Sequence, residues 1–228
     1  MKSIRIEDID IEVIKKSIKN MYISVYKPDG RVRITAPKKI NDGDIWNFAV
    51  SKLNWIKKQR AKYQNMEIDP QKQYVSGENH YFQGRRYLLN VIYTRKRQRV
   101  EICNNRMDFY IREGSTREQR EKVMIEWYRS QLKKDISKFI EKWEQVMDVK
   151  VTSYGVKLMK TKWGTCNPVA KRIWINLELA KKNPRCLEYI VVHEMVHLLE
   201  RHHNKRFYAY MDEYLPGWKE IKEELNQL

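Results

Sequence analysis

Residues 191–199 read VVHEMVHLL and place two histidines and a glutamate in an otherwise apolar stretch. On an α-helix, residues four apart lie one turn apart on one face, so His193 and His197 can bind a single ion. Glu194 points about 100° further around the helix, where it can act on a water molecule beside the histidines. Two histidines in the core of an apolar helix would be the alternative. Because H-E-x-x-H arises by chance in about one chain of this length in a hundred or fewer, the pattern favours a zinc site.

The flanking residues predict how this helix is held. Asn183 and Pro184 are typical of a helix start, so we expect the helix to run from Pro184 to about Glu200. Two strand-like runs, residues 156–168 and 172–177, predict a β-hairpin directly before it. Trp163 and Gly164 lie in the first run and are expected at the cleft, where the glycine would allow close backbone approach or simply form a bulge.

A long helix is predicted upstream of the motif. Thr116 and Gln119 form a capping box, and a broad apolar stripe continues from there to about Asp148. We expect this helix to back the motif helix. Downstream, Asn204 is a suitable cap for a further helix, and a last amphipathic helix follows Pro216-Gly217.

The N-terminal half has strand patterns. Residues 20–26 and 31–35 alternate around Pro28-Asp29-Gly30 and predict a hairpin. A helix is predicted from Asp42 to about Gln64, then a connection at residues 65–70, then short antiparallel strands over 80–111, with His80 as a surface histidine. The fold class is therefore α+β. We expect an N-terminal β-rich basic lobe at 1–114 and a lobe at 115–228 in which the hairpin and motif helix pack on the long helix.

The charge distribution is uneven. The chain of 228 residues has a formal net charge of +17; residues 1–150 hold 33 Lys and Arg against 20 Asp and Glu, and residues 151–228 hold 13 against 9. A surface that faces a polyanion would therefore belong mainly to the N-terminal part. A solvated basic surface is the favoured interpretation, and nucleic acid is not favoured as a partner.

The sequence gives no indication of a membrane-spanning segment or of a signal peptide. No apolar run of about 20 residues occurs, and the first residues lack the apolar region of a signal peptide. We expect a soluble, cytoplasmic protein without a membrane partner. Cys103, Cys166 and Cys186 form no C-x-x-C pair, which predicts reduced thiols rather than disulfides or a zinc ribbon.

Two helical histidines leave zinc short of the three protein ligands that a hydrolytic site usually has. His203 and His202 follow the expected end of the helix, where a turn could return either of them to the metal. Spacing alone favours neither histidine. Asp212 and Glu213 would suit a site with a carboxylate ligand on a second helix, which is the less favoured arrangement.

Several short motifs are spread over nearly the whole chain: residues 27–37 (KPDGRVRITAP), 159–167 (MKTKWGTCN), 175–177 (INL), 193–198 (HEMVHL), 203–204 (HN), Phe207 and 215–218 (LPGW). Together they resemble the YgjP-like metallopeptidase family. Where the family has W-G-S-C, this chain has Trp163-Gly164-Thr165-Cys166, and where it has N-H-S, this chain has His202-His203-Asn204, so each change keeps a similar group.

The resemblance implies a zincin-like catalytic lobe in which His193, His197 and His203 bind the metal. It makes Glu194 the general base and leaves His202 outside the ligand set. The family is distantly similar to SprT-like proteases, which act on protein bound to DNA, but this chain lacks the C-x-x-C ribbon that many of those carry.

The resulting hypothesis is a zinc-dependent metallopeptidase that acts on protein or peptide, with an extended substrate added beside the hairpin's edge strand. The alternatives are a basic nucleic-acid-associated protein with a structural metal, and a protease acting on DNA-bound protein. A closed structural site needs a fourth protein ligand, and no Cys or further His stands at suitable spacing, so an open site is favoured.

Overall fold

The computed structural model describes residues 2–26, 29–64 and 72–227, so Pro28 of the predicted turn and the whole predicted connection at 65–70 lie outside the described residues. The strands are β1 (Lys2–Ile6), β2 (Ile9–Lys16), β3 (Tyr22–Tyr26), β4 (Arg31–Pro37), β5 (Asn79–Phe82), β6 (Arg85–Tyr93), β7 (Arg99–Cys103), β8 (Arg106–Ile111), β9 (Ser153–Lys157), β10 (Gly164–Asn167) and β11 (Arg172–Asn176). The α-helices are α1 (Asp42–Ser51), α2 (Leu53–Gln64), α3 (Arg117–Met147), α4 (Pro184–Val196), α5 (Lys205–Tyr214) and α6 (Trp218–Gln227).

The chain forms two compact units, Met1–Gln71 and Lys72–Leu228. In the first unit the sheet order is β1-β2-β4-β3, with β2 and β4 parallel and the outer pairs antiparallel. The predicted hairpin of β3 and β4 is thus confirmed, and the sheet also contains β1 and β2, which were not predicted. Alternate side chains of β2 are buried and join apolar residues of α1 and α2 in one core.

The helix predicted over residues 42–64 is two helices. Asn41 caps α1 by accepting a hydrogen bond from the Asp44 N–H at 2.8 Å. Lys52 leaves the helical conformation at φ −105° and ψ 3°, and α2 begins at the next residue. Lys52 donates its N–H to the Ala49 carbonyl three residues back, and this bond closes α1 before α2 begins.

The second unit begins with a sheet of the same topology, in the order β5-β6-β8-β7. The prediction that these strands are all antiparallel is wrong, because β6 and β8 are parallel. The hairpin of β7 and β8 places its second strand, not its first, beside β6. Local alternation predicts strands but carries no information on which of two hairpin strands joins the sheet.

Helix α3 follows, and its predicted start is confirmed. Thr116 accepts from the Gln119 N–H while the Gln119 side chain accepts from the Thr116 N–H, so both bonds of the capping box are present. The helix ends before Asp148, which adopts a left-handed conformation at φ 50°. Its buried stripe shares one core with the second sheet and with α4: Met124, Tyr128, Leu132, Ile136, Ile140, Trp143 and Met147.

The turn between β5 and β6 joins this sheet to the start of α4. The Gln83 N–H donates to the Ala180 carbonyl at 2.9 Å, and the Gly84 N–H donates to the Lys181 carbonyl at 3.2 Å. Gly84 has φ +77°, and a Cβ atom there would lie 3.2 Å from Cα of Asn183. A glycine is needed at this turn for both reasons.

These contacts explain why the boundary between the compact units falls between residues 71 and 72, whereas the sequence placed a boundary after residue 114. The second sheet shares its core with α3 and α4. His80 of this sheet is 5% exposed, so its prediction as a surface histidine is wrong. Its ring lies beside the Glu78 carboxylate and the Tyr74 ring.

A third sheet, in the order β10-β11-β9, precedes α4. β10 and β11 form an antiparallel hairpin, as the sequence predicts, although the first strand is shorter than expected and begins only at Gly164. β9 pairs parallel with the other side of β11, so β10 lies at the edge. None of the helices in the described part of the chain has both the length and the apolar composition needed to span a bilayer.

Candidate metal centre

The end of α4 brings the two motif histidines to the surface of the second unit. The helix ends at Val196, four residues earlier than predicted, and His197 is its C-cap. The next N–H groups, of Leu198 and Leu199, donate to carbonyls three residues back at 2.9 Å, which tightens the last turn. This turn redirects the chain so that His203 returns towards the helix.

Three imidazoles meet at this point. One ring nitrogen from each of His193, His197 and His203 lies within 4.8 Å of the others. Nε2 of His193 and Nε2 of His203 are 3.0 Å apart, and two nitrogens bound to one tetrahedral zinc are roughly 3.3 Å apart, given Zn–N bonds of about 2.0–2.1 Å. The three residues therefore fit a metal ion that prefers imidazole ligands.

A backbone contact orients His197. Its Nδ1 lies 3.2 Å from the Glu200 carbonyl oxygen. Because a carbonyl can only accept, Nδ1 carries the hydrogen and Nε2 keeps its lone pair. Donation from the second ring nitrogen to a carbonyl or carboxylate is the usual way in which a metal-binding histidine is held.

Phe207 packs against all three imidazole rings. It is fully buried in α5, and its ring centroid lies 4.9 Å from that of His193, 4.8 Å from His197 and 4.6 Å from His203. Asn204 caps this helix by accepting from the Phe207 N–H at 3.0 Å, as predicted. The sequence analysis gave Phe207 as a residue of the family motifs but not as a neighbour of the histidines, since nothing local indicates contact with a residue ten or more positions earlier.

The electrostatic environment keeps the imidazoles neutral. Burial lowers the pKa of His193 to about 3, with the neighbouring imidazoles and Lys222 acting in the same direction. Burial also lowers the pKa of His197 and of His203. A neutral imidazole is the form that has a lone pair to give to a cation.

Glu194 lies beside this group and faces β10. It is 5% exposed, and burial raises the pKa of its carboxyl group to about 8. A Cβ atom on Gly164 would stand 2.6 Å from Oε1 of Glu194 and 2.9 Å from Cγ2 of Ile190. Only a residue without a side chain allows the strand to approach the carboxylate this closely.

Asn176 holds the segment that leads into β10, a role that the sequence analysis missed. It is 4% exposed, and its side-chain amide donates to the carbonyls of Met159 and Lys162 at 2.9 and 2.8 Å. Its Oδ1 accepts from the N–H groups of Met159 and Glu178. An asparagine after a strand and before a helix is a common cap signal, but its contact with residues fourteen or more positions earlier is not visible locally.

The candidate site opens into one cleft of about 790 Å³. Trp163 and Gly164, which the sequence placed at the cleft, both line it, together with the three histidines and Glu194. Cys166 also lines it as a free thiol, and burial raises its pKa to about 12, so the sulfur keeps its proton.

The other candidate ligands lie elsewhere. His202 is exposed and outside the three-histidine group, and its N–H donates to the Glu200 carboxylate at 3.2 Å. Asp212 accepts from the indole N–H of Trp218 at 2.8 Å, and neither Asp212 nor Glu213 lines the cleft.

Three imidazoles beside a buried carboxylate in an open cleft are typical of hydrolases that use a metal ion. A family model described as YgjP-like, metallopeptidase domain, matches residues 19–228. The chain therefore belongs to the YgjP-like metallopeptidase family, and the protein is a metal-dependent hydrolase. The family resemblance inferred from the sequence is confirmed.

Two solved structures, both metallopeptidase zymogens, are similar to part of the chain. Pyrococcus abyssi abylysin is 17% identical, with 40% of this chain and 90% of that chain covered and a TM-score of 0.37. Methanocaldococcus jannaschii jannalysin is 20% identical, with 41% and 88% covered and a TM-score of 0.38. The comparison with curated proteins gave no match.

Proposed function

We propose that this protein hydrolyses peptide bonds with a zinc ion held by His193, His197 and His203, and with Glu194 as the general base. One observation carries the proposal: the three ring nitrogens lie within 4.8 Å of one another, and the adjacent carboxylate lines the same cleft. The ligand set and the base thus come from one short stretch of chain and one returning turn.

The donor set favours zinc over harder ions. Three neutral imidazole nitrogens suit zinc, whereas magnesium and calcium prefer oxygen ligands. When bound, zinc polarises a substrate carbonyl and lowers the pKa of a water molecule towards neutrality. Three protein ligands leave one position open for this chemistry, and within the described residues the histidine group has no fourth member.

Glu194 would take the proton of the attacking water and return it to the leaving amine. Contact with the Gly164 backbone limits where its carboxylate can lie, so the base is held beside the cleft. A cation bound by the imidazoles would lower the carboxyl pKa again, because an opposite charge favours the ionised form.

The edge strand gives the substrate a place to lie. β10 pairs with β11 on one side, and its residues line the cleft on the other. An extended peptide would add beside β10 through backbone hydrogen bonds, with the scissile bond directed at Glu194 and the histidines. Trp163, immediately before this strand, would contact the peptide's side chains.

The test compares metal content with hydrolysis of a casein or peptide-library substrate. Glu194→Gln should keep stoichiometric zinc and abolish turnover, since an amide cannot accept the proton. His193→Ala and His197→Ala should lose the zinc itself. Turnover by a zinc-replete Glu194→Gln variant would remove Glu194 from the role of base.

The neighbouring histidines supply a matched pair. His203→Ala should weaken zinc binding strongly, whereas His202→Ala should keep the zinc content of the wild type, because only His203 faces the other two rings. Each change removes one exposed imidazole, and the two positions are adjacent in the sequence. The reverse result would assign the third ligand to His202.

A further inference from the structure

The cleft around the three histidines has an unbalanced charge. Apart from those histidines, its charged lining residues are Lys162, Arg201, Lys222 and Glu194. The three cations are exposed, whereas the single carboxylate is buried. A substrate that enters this cleft therefore meets positive charge at its rim.

The pairing of these three cations differs from that of many other cations in this unit. Among the residues that the structure describes, Lys162, Arg201 and Lys222 take part in no ion pair, although many other cations of this unit do, such as Lys142 with Glu188. Two carboxylates stand next to them in the sequence. Glu200 accepts from the His202 N–H, and neither Glu200 nor Glu223 lines the cleft.

Lys222 is held at one wall of the cleft by aromatic packing. It lies one turn after Trp218 on α6, and its ammonium group is 5.6 Å from the centroid of that indole. Trp218 stacks between Tyr189 of α4 and Tyr208 of α5, at centroid distances of 6.2 and 5.7 Å. This three-ring stack fixes α6 against α4.

Lys162 lines the cleft from the segment before β10, and Asn176 holds its backbone by donating to the Lys162 carbonyl at 2.8 Å. Both lysines act on the reacting groups. Lys222 lowers the pKa of His193 and of His203, and Lys162 lowers that of Glu194, in each case as a contribution smaller than that of burial. Two of the positive charges are therefore close to the candidate centre, one from the segment before β10 and one from α6.

We propose that this peptidase selects peptides that carry acidic side chains next to the scissile bond, which Lys162, Arg201 and Lys222 bind. Unpaired charges of one sign in a cleft raise the local concentration of oppositely charged ligands and speed their association. The inference rests on the proposed function, because it assumes that the peptide lies in the cleft of the three histidines.

The test measures binding and cleavage of matched fluorescent decapeptides at physiological salt. The peptides differ only in the residues flanking one central bond, which are Glu, Gln or Lys. Binding is measured on the full chain with Glu194→Gln, so that no peptide is consumed, and cleavage on the chain with Glu194 intact. We expect the Glu peptide to bind about tenfold more tightly than the Gln peptide, since each exposed ion pair contributes a few-fold.

Two triple variants separate the cleft from general charge. Lys162→Gln, Arg201→Gln and Lys222→Gln together should remove the preference for the Glu peptide. The control replaces Lys138, Lys160 and Lys205 by Gln, which removes the same charge from exposed residues that do not line the cleft, and should keep the preference. Equal loss in both variants would overturn the proposal in favour of the overall charge of the protein.

A charge-reversal variant distinguishes a changed peptide preference from misfolding. Lys162→Glu with Lys222→Glu should favour the Lys peptide over the Glu peptide, a reversal that a damaged fold cannot produce. Tighter competition by a DNA oligonucleotide than by the Glu peptide would assign the cleft to nucleic acid and overturn the inference. Cleavage of all three peptides at equal rates, with equal binding, would overturn it while leaving the proposed peptidase activity intact. Selective binding without cleavage would support the inference and contradict the proposed activity.

Discussion

The two four-stranded sheets have the same strand order and the same pattern of parallel and antiparallel pairs, yet only one of them belongs to the unit that contains the candidate site. Their first turns are also alike, with Glu7 at φ 52° and Gln83 at φ 50°. The Glu7 side chain pairs with Lys57 of its own unit, whereas the Gln83 N–H donates to the Ala180 carbonyl, just before α4. Two sheets of the same topology therefore have different surroundings, and the contacts of one turn connect only the second sheet to the segment that leads into α4.

The cores show the same contrast. The first sheet shares a core with two short helices, α1 and α2, and that core is separate. The second sheet shares its core with the 31-residue helix α3 and with α4. A defect under the second sheet can therefore reach the histidines through packed side chains, which the first sheet cannot do through its own core.

The largest effect on the free energy of unfolding should come from truncating one large buried side chain in each core separately. Phe109→Ala in the second unit and Ile34→Ala in the first each remove a fully buried side chain and should cost about 3–5 and 2–5 kcal/mol, respectively. Calorimetry of the zinc-loaded protein should show Phe109→Ala lowering the transition that releases the metal, and Ile34→Ala leaving it in place. A single transition that moves equally in both variants would end the distinction between the units.

The two units also differ in what surrounds their glycines. Gly164→Ala places a methyl group 2.6 Å from the Glu194 carboxylate, so hydrolysis should fall by about 100-fold while zinc content is retained. Gly43→Ala in the first unit meets only the Asn41 side chain, at 3.3 Å, and should leave hydrolysis unchanged. Steady-state kinetics beside metal analysis distinguishes displacement of the base from loss of the ion. Normal turnover by Gly164→Ala would show that β10 does not set the position of Glu194.

The sheets also differ in the charge at equivalent positions of their second hairpin strands. Arg33 of β4 bonds Glu12, whereas Asp108 of β8 accepts from Arg106 and from Asn90, both at 2.7 Å. The bond from Arg106 is the main reason that the pKa of Asp108 lies below its usual range, with the bond from Asn90 adding to it and burial opposing it.

Because the folded protein binds this proton less tightly than the unfolded chain, Asp108 stabilises the fold above about pH 4, and the benefit is lost as the pH falls further. Asp108→Asn should therefore reduce the free energy of unfolding by about 1–2 kcal/mol at pH 7. The difference from the wild type should shrink towards pH 2, as followed by urea denaturation. A difference that is constant with pH would assign the loss to packing.

The smallest effect is expected from reversing the charges of the basic helix α2, measured as a change in DNA binding. Lys57 is paired with Glu7, and the Nε atom of Arg60 is buried, so part of this charge already serves the first unit. DNA binding should be weak at low salt and vanish at physiological salt, with no change in peptidase activity. Gel shifts at two salt concentrations, with Lys57, Lys58 and Arg60 reversed to Glu, provide the check. Sub-micromolar binding at physiological salt that those reversals abolish would make DNA a partner.

Sequence reasoning succeeded where the determinants are local. The capping box of Thr116 and Gln119 predicts the start of α3, and Asn204 predicts that of α5, because each signal lies within one helical turn. Spacing alone placed His193 and His197 on one face. It could not choose between His202 and His203, since the choice depends on how the tightened turn after Val196 directs the chain.

Most of the wrong or missing predictions depend on contacts that exist only in the folded structure, whereas β2 had a local signal. Local alternation in β6 and β8 cannot show that they are parallel, and β2 was overlooked although Ile9, Ile11 and Val13 alternate. The burial of His80 depends on contacts with Glu78 and Tyr74 within the folded sheet. Asn176 and Phe207 contact the candidate site only through tertiary structure.

The turn at Gln83 and Gly84 has a consequence for the order in which the molecule assembles during synthesis. Its partners at residues 180–183 emerge from the ribosome about one hundred residues later, and domains generally fold as the chain appears. The second sheet and α3 can therefore form while this turn still lacks its partners. Helix α4 then docks onto an existing surface while α5 and α6 are still to follow, so the three histidines meet late in synthesis. Under the proposed function, zinc is acquired by a nearly finished protein, and a nascent chain stalled before residue 180 should have the sheet but no affinity for the ion.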